Sequence, residues 1–277
     1  AEDGIRDLVR SRGLGDVYKR QADNPALVAA AARGQVLPVY ILDDENAGAD
    51  RMGAASRWWL HHALGALDQS LDGKLYMARG DAKDILPALA ARVGATAVFW
   101  NRAYEPWRIA RDTALKSSLE ESGIEAVSSN GALLWEPWEV LKKDGTPYKV
   151  FTPFYRRGCL AAAPPRPPLP VPPRLNIAEL DNHIEGARAI TKLALLPKHD
   201  WKDGLAATWC IGEMAAHDLL HAFLDDGLHG YKNDRNFPAK RIVSRLSAYL
   251  HWGEISPNSV WYAAKDRMDA GFGHDDD

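Results

Sequence analysis

The residue pattern predicts an α/β protein in three parts: a Rossmann-like parallel-sheet domain, a proline-rich connection, and the start of an all-helical domain. Three observations carry this reading. Short apolar, β-branched runs alternate with segments of helical periodicity through the first half of the chain. Seven of the ten residues from Pro164 to Pro173 are proline, which excludes helix or interior strand there. Beyond Leu205, apolar residues recur at helical spacing.

In chain order, Val36–Leu42 (VLPVYIL) followed by Asp43 and Asp44 predicts a buried strand. The stripe of Trp58, Trp59, Leu60, Leu64, Leu67 and Leu71 predicts a helix over Ala54–Leu71. Leu75–Met77 is a short strand candidate, and Asp81 is placed to cap the helix carrying Ile85, Leu86, Leu89 and Val93. Ala97–Trp100 predicts another strand, Pro106 to Glu121 a helix, and Ile124–Val127 a further strand. Short connections between alternating strands and helices call for a parallel sheet covered on both faces. In the last third, Thr208–Asp226, Pro238–His251 and Ser256–Ala270 read as helices, with Ser256 as a cap and Pro257 in the first turn. The expected division is 22–143 for the sheet domain, 144–204 for the connection and 205–277 for the helical part.

The chain has 277 residues, with 34 Lys and Arg against 37 Asp and Glu, a net charge of −3. That length can bury a real core, and this composition is not that of a disordered chain. No apolar run approaches the roughly 18 residues of a membrane span, and no signal-peptide pattern is present. Two cysteines, Cys159 and Cys210, are too few for a disulfide framework. The expectation is a cytoplasmic monomer without a membrane partner.

Residues 1–21 stand apart, since they have neither strand nor helix periodicity. Their sequence matches the in-frame translation of a short-read sequencing adapter, with AEDGIRD as a flow-cell primer and SRGLGDVYKRQ as a transposase adapter. On that reading they are foreign to the fold, whose own sequence begins at Ala22.

The chemistry concentrates at Tyr231–Pro257. Residues 231–245 hold Lys232, Arg235, Lys240, Arg241 and Arg245 against Asp234 alone, a local net of +4 in an acidic chain. Ser244, Arg245 and Ser247 offer hydroxyls, a guanidinium and helix-start amides to a phosphate. Tyr231, Phe237, Tyr249 and Trp252 beside them suit a flat ring system. His217 and His221 sit one helical turn apart, as in a zinc helix, but lack a Glu base and a third ligand, so they read as an ordinary histidine pair and no metal is expected. Gly271-Phe272-Gly273 lacks the strand and the third glycine of a dinucleotide fingerprint.

This segment resembles the flavin-binding segment of the DNA photolyase/cryptochrome family. Arg235-Asn236-Phe237-Pro238, Ser244-Arg245-Leu246-Ser247, Tyr249-Leu250 and Gly253-Glu254-Ile255-Ser256-Pro257 carry the likeness. Val243 stands where the family usually has Thr, and Ala248 where it often has Pro. Further landmarks are Ala22-Asp23-Asn24-Pro25-Ala26-Leu27, Ser56-Arg57-Trp58-Trp59-Leu60, Asn101-Arg102-Ala103-Tyr104-Glu105-Pro106, Trp135-Glu136-Pro137-Trp138 and Tyr148-Lys149-Val150-Phe151-Thr152-Pro153-Phe154.

The resemblance implies an FAD in the helical domain, contacted by Tyr231, Val243, Ser244, Arg245, Leu246 and Ser247. It assigns Arg235, Lys240 and Arg241 to phosphates of damaged DNA. It implies light-driven repair of cyclobutane pyrimidine dimers by electron transfer from reduced FAD, with a cryptochrome-type blue-light receptor as the alternative. An α/β nucleotide-binding module without light chemistry would explain the first domain but not residues 231–257. A second, antenna chromophore is implied near the sheet domain. Trp107-Arg108 replaces the Asn-Glu pair of the folate-antenna members, which leaves a deazaflavin, a flavin or no antenna open. No catalytic residue is assigned. The family's first strand, in the middle of its sheet, would fall within residues 1–21. The expectation is therefore a missing first strand, two exposed strand edges, and Val17-Tyr18-Lys19 as the stretch able to imitate it. An internal fragment, itself inactive, is the corresponding expectation for the chain.

Overall fold

The computed structural model describes residues 7–12, 20–179, 189–197 and 201–272. Five strands, β1 (Asp7–Arg12), β2 (Val36–Leu42), β3 (Tyr76–Arg79), β4 (Ala97–Asn101) and β5 (Glu125–Ser129), pair in the order β3-β2-β1-β4-β5. Every pairing is parallel. Helices α1 (Pro25–Ala31), α2 (Ala54–Ser70), α3 (Ala82–Arg92) and α4 (Pro106–Glu121) make the crossovers.

Strand β2 shows why the sheet is covered on both sides. All seven of its residues are buried. Leu37, Val39 and Ile41 enter a core with Leu86 and Leu89 of α3 and Leu115 and Leu119 of α4. Tyr40 and Leu42 enter the opposite core, with Trp58, Trp59, Leu60 and Leu64 of α2. The period of two in a strand sends alternate residues to opposite faces, so a continuous apolar run is what a two-sided sheet requires. The helices are set by caps: Asn24 Oδ1 accepts from Leu27 N–H at 3.1 Å, and Asp81 Oδ1 accepts from Lys83 N–H at 2.8 Å.

One expectation is overturned. The central strand is present, formed by Asp7–Arg12, which pairs with β2 along Asp7–Arg12 and with β4 along Asp7–Arg10. The physical reason is that β2 and β4 both present unpaired backbone groups to the same slot. Backbone pairing asks of its partner only an extended, proline-free chain. Val17-Tyr18-Lys19 lies outside the described residues.

The helical part differs from expectation at two places. The stretch read as one helix from Thr208 is split: Asp203–Thr208 ends, Gly212 adopts φ +124°, and Glu213–Ala222 begins anew before widening into a π-turn over Phe223–Gly227. The helix expected over Pro238–His251 is replaced by the shorter Ser247–Trp252, because Arg245 turns into the left-handed region at φ +55°. Pro257–Asp269 follows, capped by Ser256, whose Oγ accepts from Ser259 N–H at 2.8 Å.

Ala216, Leu220, Leu224, Leu228, Leu246, Tyr249, Trp252 and Ile255 share one core with α2 and with Tyr40, Leu42 and Met77 of the sheet, and Trp59 of α2 meets Trp209 and Tyr249 edge-on. Polar contacts fasten the helical part to the loop before α1. Glu213 accepts from Gln21 N–H at 2.9 Å and Ala22 N–H at 3.0 Å, and buried Arg20 donates to Gly253 O at 3.0 Å and Gly131 O at 3.1 Å. Trp59 Nε1 donates to buried Glu254 at 2.9 Å. Buried Asp23 accepts from Arg166, from Ser256 and from Leu169 N–H, joining this loop, the connection and the last helix at one carboxylate. The proline run is accordingly extended but tied down, with Tyr262 Oη donating to Pro165 O and Asn258 Nδ2 to Arg166 O.

Candidate functional site

The basic segment 235–245 folds back over the Glu213–Gly227 helix and encloses a groove of about 610 Å³. Leu219, Ala222 and Phe223 come from the helix, Pro238 and Val243 from the segment, and Lys240, Arg241, Ser244 and Arg245 add the polar groups. The helical spacing of Leu219 and Phe223 brings both to one face. Gly227 lets the segment approach closely, since a Cβ there would meet Phe223 Cδ2 at 2.7 Å and Ile242 O at 3.0 Å. The groove combines apolar walls with three cations, the Lys240 ammonium and the Arg241 and Arg245 guanidiniums, against the one carboxylate of Asp226, a donor set that suits a phosphorylated ring compound.

Three of the six predicted cofactor residues, Val243, Ser244 and Arg245, line this groove. The guanidinium of Arg245 lies 4.4 Å from the ring centre of Trp209, which orients it from behind. Tyr231 sits beside the groove, edge-on to Phe223 at 5.7 Å, and Arg235 stacks on Tyr231 at 5.5 Å. Leu246 is buried in the α2 core, so only its backbone is available, and its N–H donates to Ser244 Oγ at 3.4 Å. Ser247 is exposed at the start of a six-residue helix and does not line the groove. The helix expected over Pro238–His251 thus starts only at Ser247, and that first residue lies outside the groove lining.

The residues expected at DNA do not form one row. Lys240 and Arg241 line the groove, while Arg235 stands on Tyr231. Lys240 Nζ also pairs with Asp234 at 2.5 Å, so Asp234 serves a neighbouring cation. The groove's helix face, Leu219, Ala222, Phe223 and Asp226, was not singled out by sequence. Its only signal was the i, i+4 pair Leu219 and Phe223, which equally describes a core stripe. His217 and His221 have ring centres 6.5 Å apart, and among the described residues no group of three His, Cys, Asp or Glu is placed to hold a metal.

A second cleft, of about 670 Å³, opens where the sheet domain meets the helical part. Tyr104, Glu105 and Pro106 line it from the end of β4, Leu133 from the loop after β5, and Leu250 and Ile255 from the helical side. Burial and a 2.7 Å hydrogen bond to Glu136 push the Tyr104 phenol well above its ordinary pKa, so it stays a donor at any working pH. Two guanidiniums lie over the Trp107 ring, Arg108 at 5.1 Å and Arg111 at 5.0 Å from its centre. Arg108 is buried, and Arg111 is buried against Asp43 at 3.3 Å. Where the folate-antenna members carry Asn-Glu, this chain thus has a ring and an inward-turned cation.

The DNA photolyase family model matches residues 19–173. The deoxyribodipyrimidine photo-lyase of Agrobacterium fabrum is 42% identical over 251 residues, covering 89% of this chain and 51% of that protein. Cryptochrome-2 of Arabidopsis thaliana is 35% identical, covering 89% of this chain and 41% of that protein. Among solved structures, a bacterial class III photolyase from Agrobacterium tumefaciens superposes with a TM-score of 0.87 at 39% identity, over 97% of this chain and 55% of that one. The chain spans about half the length of the curated relatives it matches. No described helix is long and apolar enough to cross a membrane. With the family model matching more than half of its residues, and the fold and ordered motifs in agreement, the chain belongs to the DNA photolyase family.

Proposed function

We propose that this chain serves a deoxyribodipyrimidine photolyase, which repairs cyclobutane pyrimidine dimers in DNA by light-driven electron transfer from FAD. The observation that carries the reading is the groove over Leu219–Arg245, with cationic and hydroxyl groups along one side and apolar walls on the other. Arg245 and Ser244 would hold the pyrophosphate, with Lys240 and Arg241 adding positive potential. Val243, Phe223, Leu219 and Pro238 would keep water from the apolar parts, and Tyr231 and the backbone at Leu246 would border the site. Ser247 adds no groove contact, so its role would need movement of the short helix. When bound and reduced, FAD supplies the electron that blue light mobilises. Arg235 and Arg241 would position the DNA backbone without reading sequence. Lys240 would first have to exchange Asp234 for a phosphate.

We assign a second, light-gathering chromophore to the cleft at Tyr104–Pro106. Trp107 and Arg108 disfavour the folate arrangement that an Asn-Glu pair supports, because a buried cation replaces a carboxylate acceptor. The cryptochrome alternative is supported by the 35% identity to Cryptochrome-2. The two readings separate in a photolyase-deficient bacterium given a chimera in which residues 22–272 replace the matching region of the Agrobacterium fabrum photo-lyase. Survival of ultraviolet damage under blue light supports repair. A well-expressed, flavin-containing chimera with no light-dependent survival would refute it.

A further inference from the structure

Residues 138–161 form a knob whose backbone is held fast and whose outer surface is unusually apolar. Lys142 and Thr146 close a turn at 2.9 Å, and Val140 and Cys159 are buried. Gly158 packs so tightly that a Cβ there would reach Val140 Cγ1 at 2.5 Å and Tyr148 Cε2 at 3.0 Å. Yet Phe151 is 73% exposed, Val150 62% and Trp138 60%, with Leu160, Phe154 and Tyr155 also open. Exposed apolar clusters of this kind mark interaction sites.

Two features say what the surface would meet. The rings of Phe151 and Tyr155 are parallel within 4°, with centres 5.9 Å apart, an offset stack that a further flat ring could extend. The knob also carries five Lys and Arg against two acids in a chain of net charge −3. Both acids are engaged locally: Glu139 accepts from Glu136 N–H at 2.6 Å, and Asp144 accepts from Thr146 and faces Lys142 at 3.7 Å. Lys149, Arg156 and Arg157 make no ion pair among the described residues.

We propose that this knob docks single-stranded DNA, with bases stacked on Phe151 and Tyr155 and phosphates on Lys149, Arg156 and Arg157. Exposed rings with cations close by in sequence offer the two contacts a strand of bases and phosphates requires, and stacking on aromatic rings tolerates any base. An aliphatic patch would fit any apolar partner, and a bare cationic one any polyanion. The site lies on the connection, apart from the groove at Leu219–Arg245. It needs neither flavin nor light, so it can fail while the photolyase reading stands.

The test is fluorescence anisotropy of the purified 277-residue chain with an undamaged fluorescein-labelled oligo(dT) of about 12 nucleotides, a length within the site sizes of single-strand binders. Binding is expected, with a log–log salt slope of about −2 for three phosphate contacts. Phe151→Ala should weaken it about tenfold, the loss of one modest stacking contact, and Phe151→Trp should restore it. Arg156→Gln with Arg157→Gln should flatten the slope by about 1.4. Phe151 is mostly solvent-exposed, so an unchanged melting curve will show that its replacement leaves the fold intact. The proposal is overturned by absence of binding at low salt, or by a Phe151→Ala affinity equal to the parent's. It is equally overturned by vesicles of anionic phospholipid that bind the knob in preference to the oligonucleotide. Displacement of the oligonucleotide by the C-terminal half of the Agrobacterium relative, added in trans, would assign the surface to that contact instead.

Discussion

Replacing Asp23 with Asn should loosen the junction between the sheet domain and the helical part. The carboxylate is fully buried and accepts from Arg166, Ser256 and Leu169 N–H, the last at 2.9 Å. Its backbone lies in the left-handed region at φ +49°, which Asn tolerates, so the substitution removes charge without straining the chain. An amide keeps one acceptor oxygen and turns an NH2 group toward donors that need an acceptor. A hydrogen bond to a charged group contributes about 1.5–3 kcal/mol, and an orphaned buried donor costs about 1–3 kcal/mol. Arg166 keeps a third of its side chain in water, so its share falls at the low end. The sum is about 3 kcal/mol, or a fall of roughly 6–12 °C in melting temperature for a chain of this size. Urea and thermal unfolding of Asp23→Asn, Ser256→Ala and the double variant measure it. The singles should be strongly non-additive, since they share one contact. A change under about 0.5 kcal/mol in Asp23→Asn would refute the claim that this carboxylate fastens the junction.

Three further outcomes follow from local geometry. Gly158→Ala should destabilise by about 1–3 kcal/mol in urea unfolding, because the new methyl overlaps Val140 in a fixed turn. Burial lowers the pKa of His61, helped by His62, and burial lowers that of His62. A histidine depressed in the fold binds fewer protons than in the unfolded chain. Its stabilisation is therefore present above the unfolded value of about 6.5 and is lost as pH falls through the folded value. Melting temperature should drop on acidification below about pH 6.5, and less steeply in a His61→Gln, His62→Gln variant. In the Agrobacterium chimera, Val243→Thr should tighten FAD binding about 3- to 10-fold in a flavin fluorescence titration, by returning one hydroxyl to the groove.

Local pattern explains which elements were legible. Strand β2 falls at the predicted bounds and α2 one residue short, because each buries an apolar stripe between clear stops. Helix α4 also falls at its predicted bounds, set by Pro106 in its first turn and Gly123 beyond its end, although Arg108, Arg111 and Asp112 are buried beside Leu115 and Leu119. Strand β1 was not legible: what places Asp7–Arg12 is the pair of open edges on β2 and β4, a property of distant segments. Residues 238–249 imitate one helix through Ile242, Leu246 and Tyr249, yet a backbone reversal at Arg245 delivers Leu246 and Tyr249 to the core instead. In the candidate site, motif resemblance located Val243, Ser244 and Arg245. It could not separate Leu246, whose side chain faces the core, from neighbours that line the groove. The contact of Arg20 with Gly253, 233 residues apart, leaves no local trace at all.

The most direct test of the photolyase account is dimer splitting by the purified Agrobacterium chimera carrying residues 22–272 of this chain. It would be followed on ultraviolet-irradiated oligo(dT) by the return of thymine absorbance under blue light. The account predicts a chimera that retains FAD and restores absorbance in light but not in darkness. A companion Arg245→Ala variant should lose most of its flavin. A folded, FAD-replete chimera that leaves the dimers intact under blue light would contradict the account and favour a light receptor.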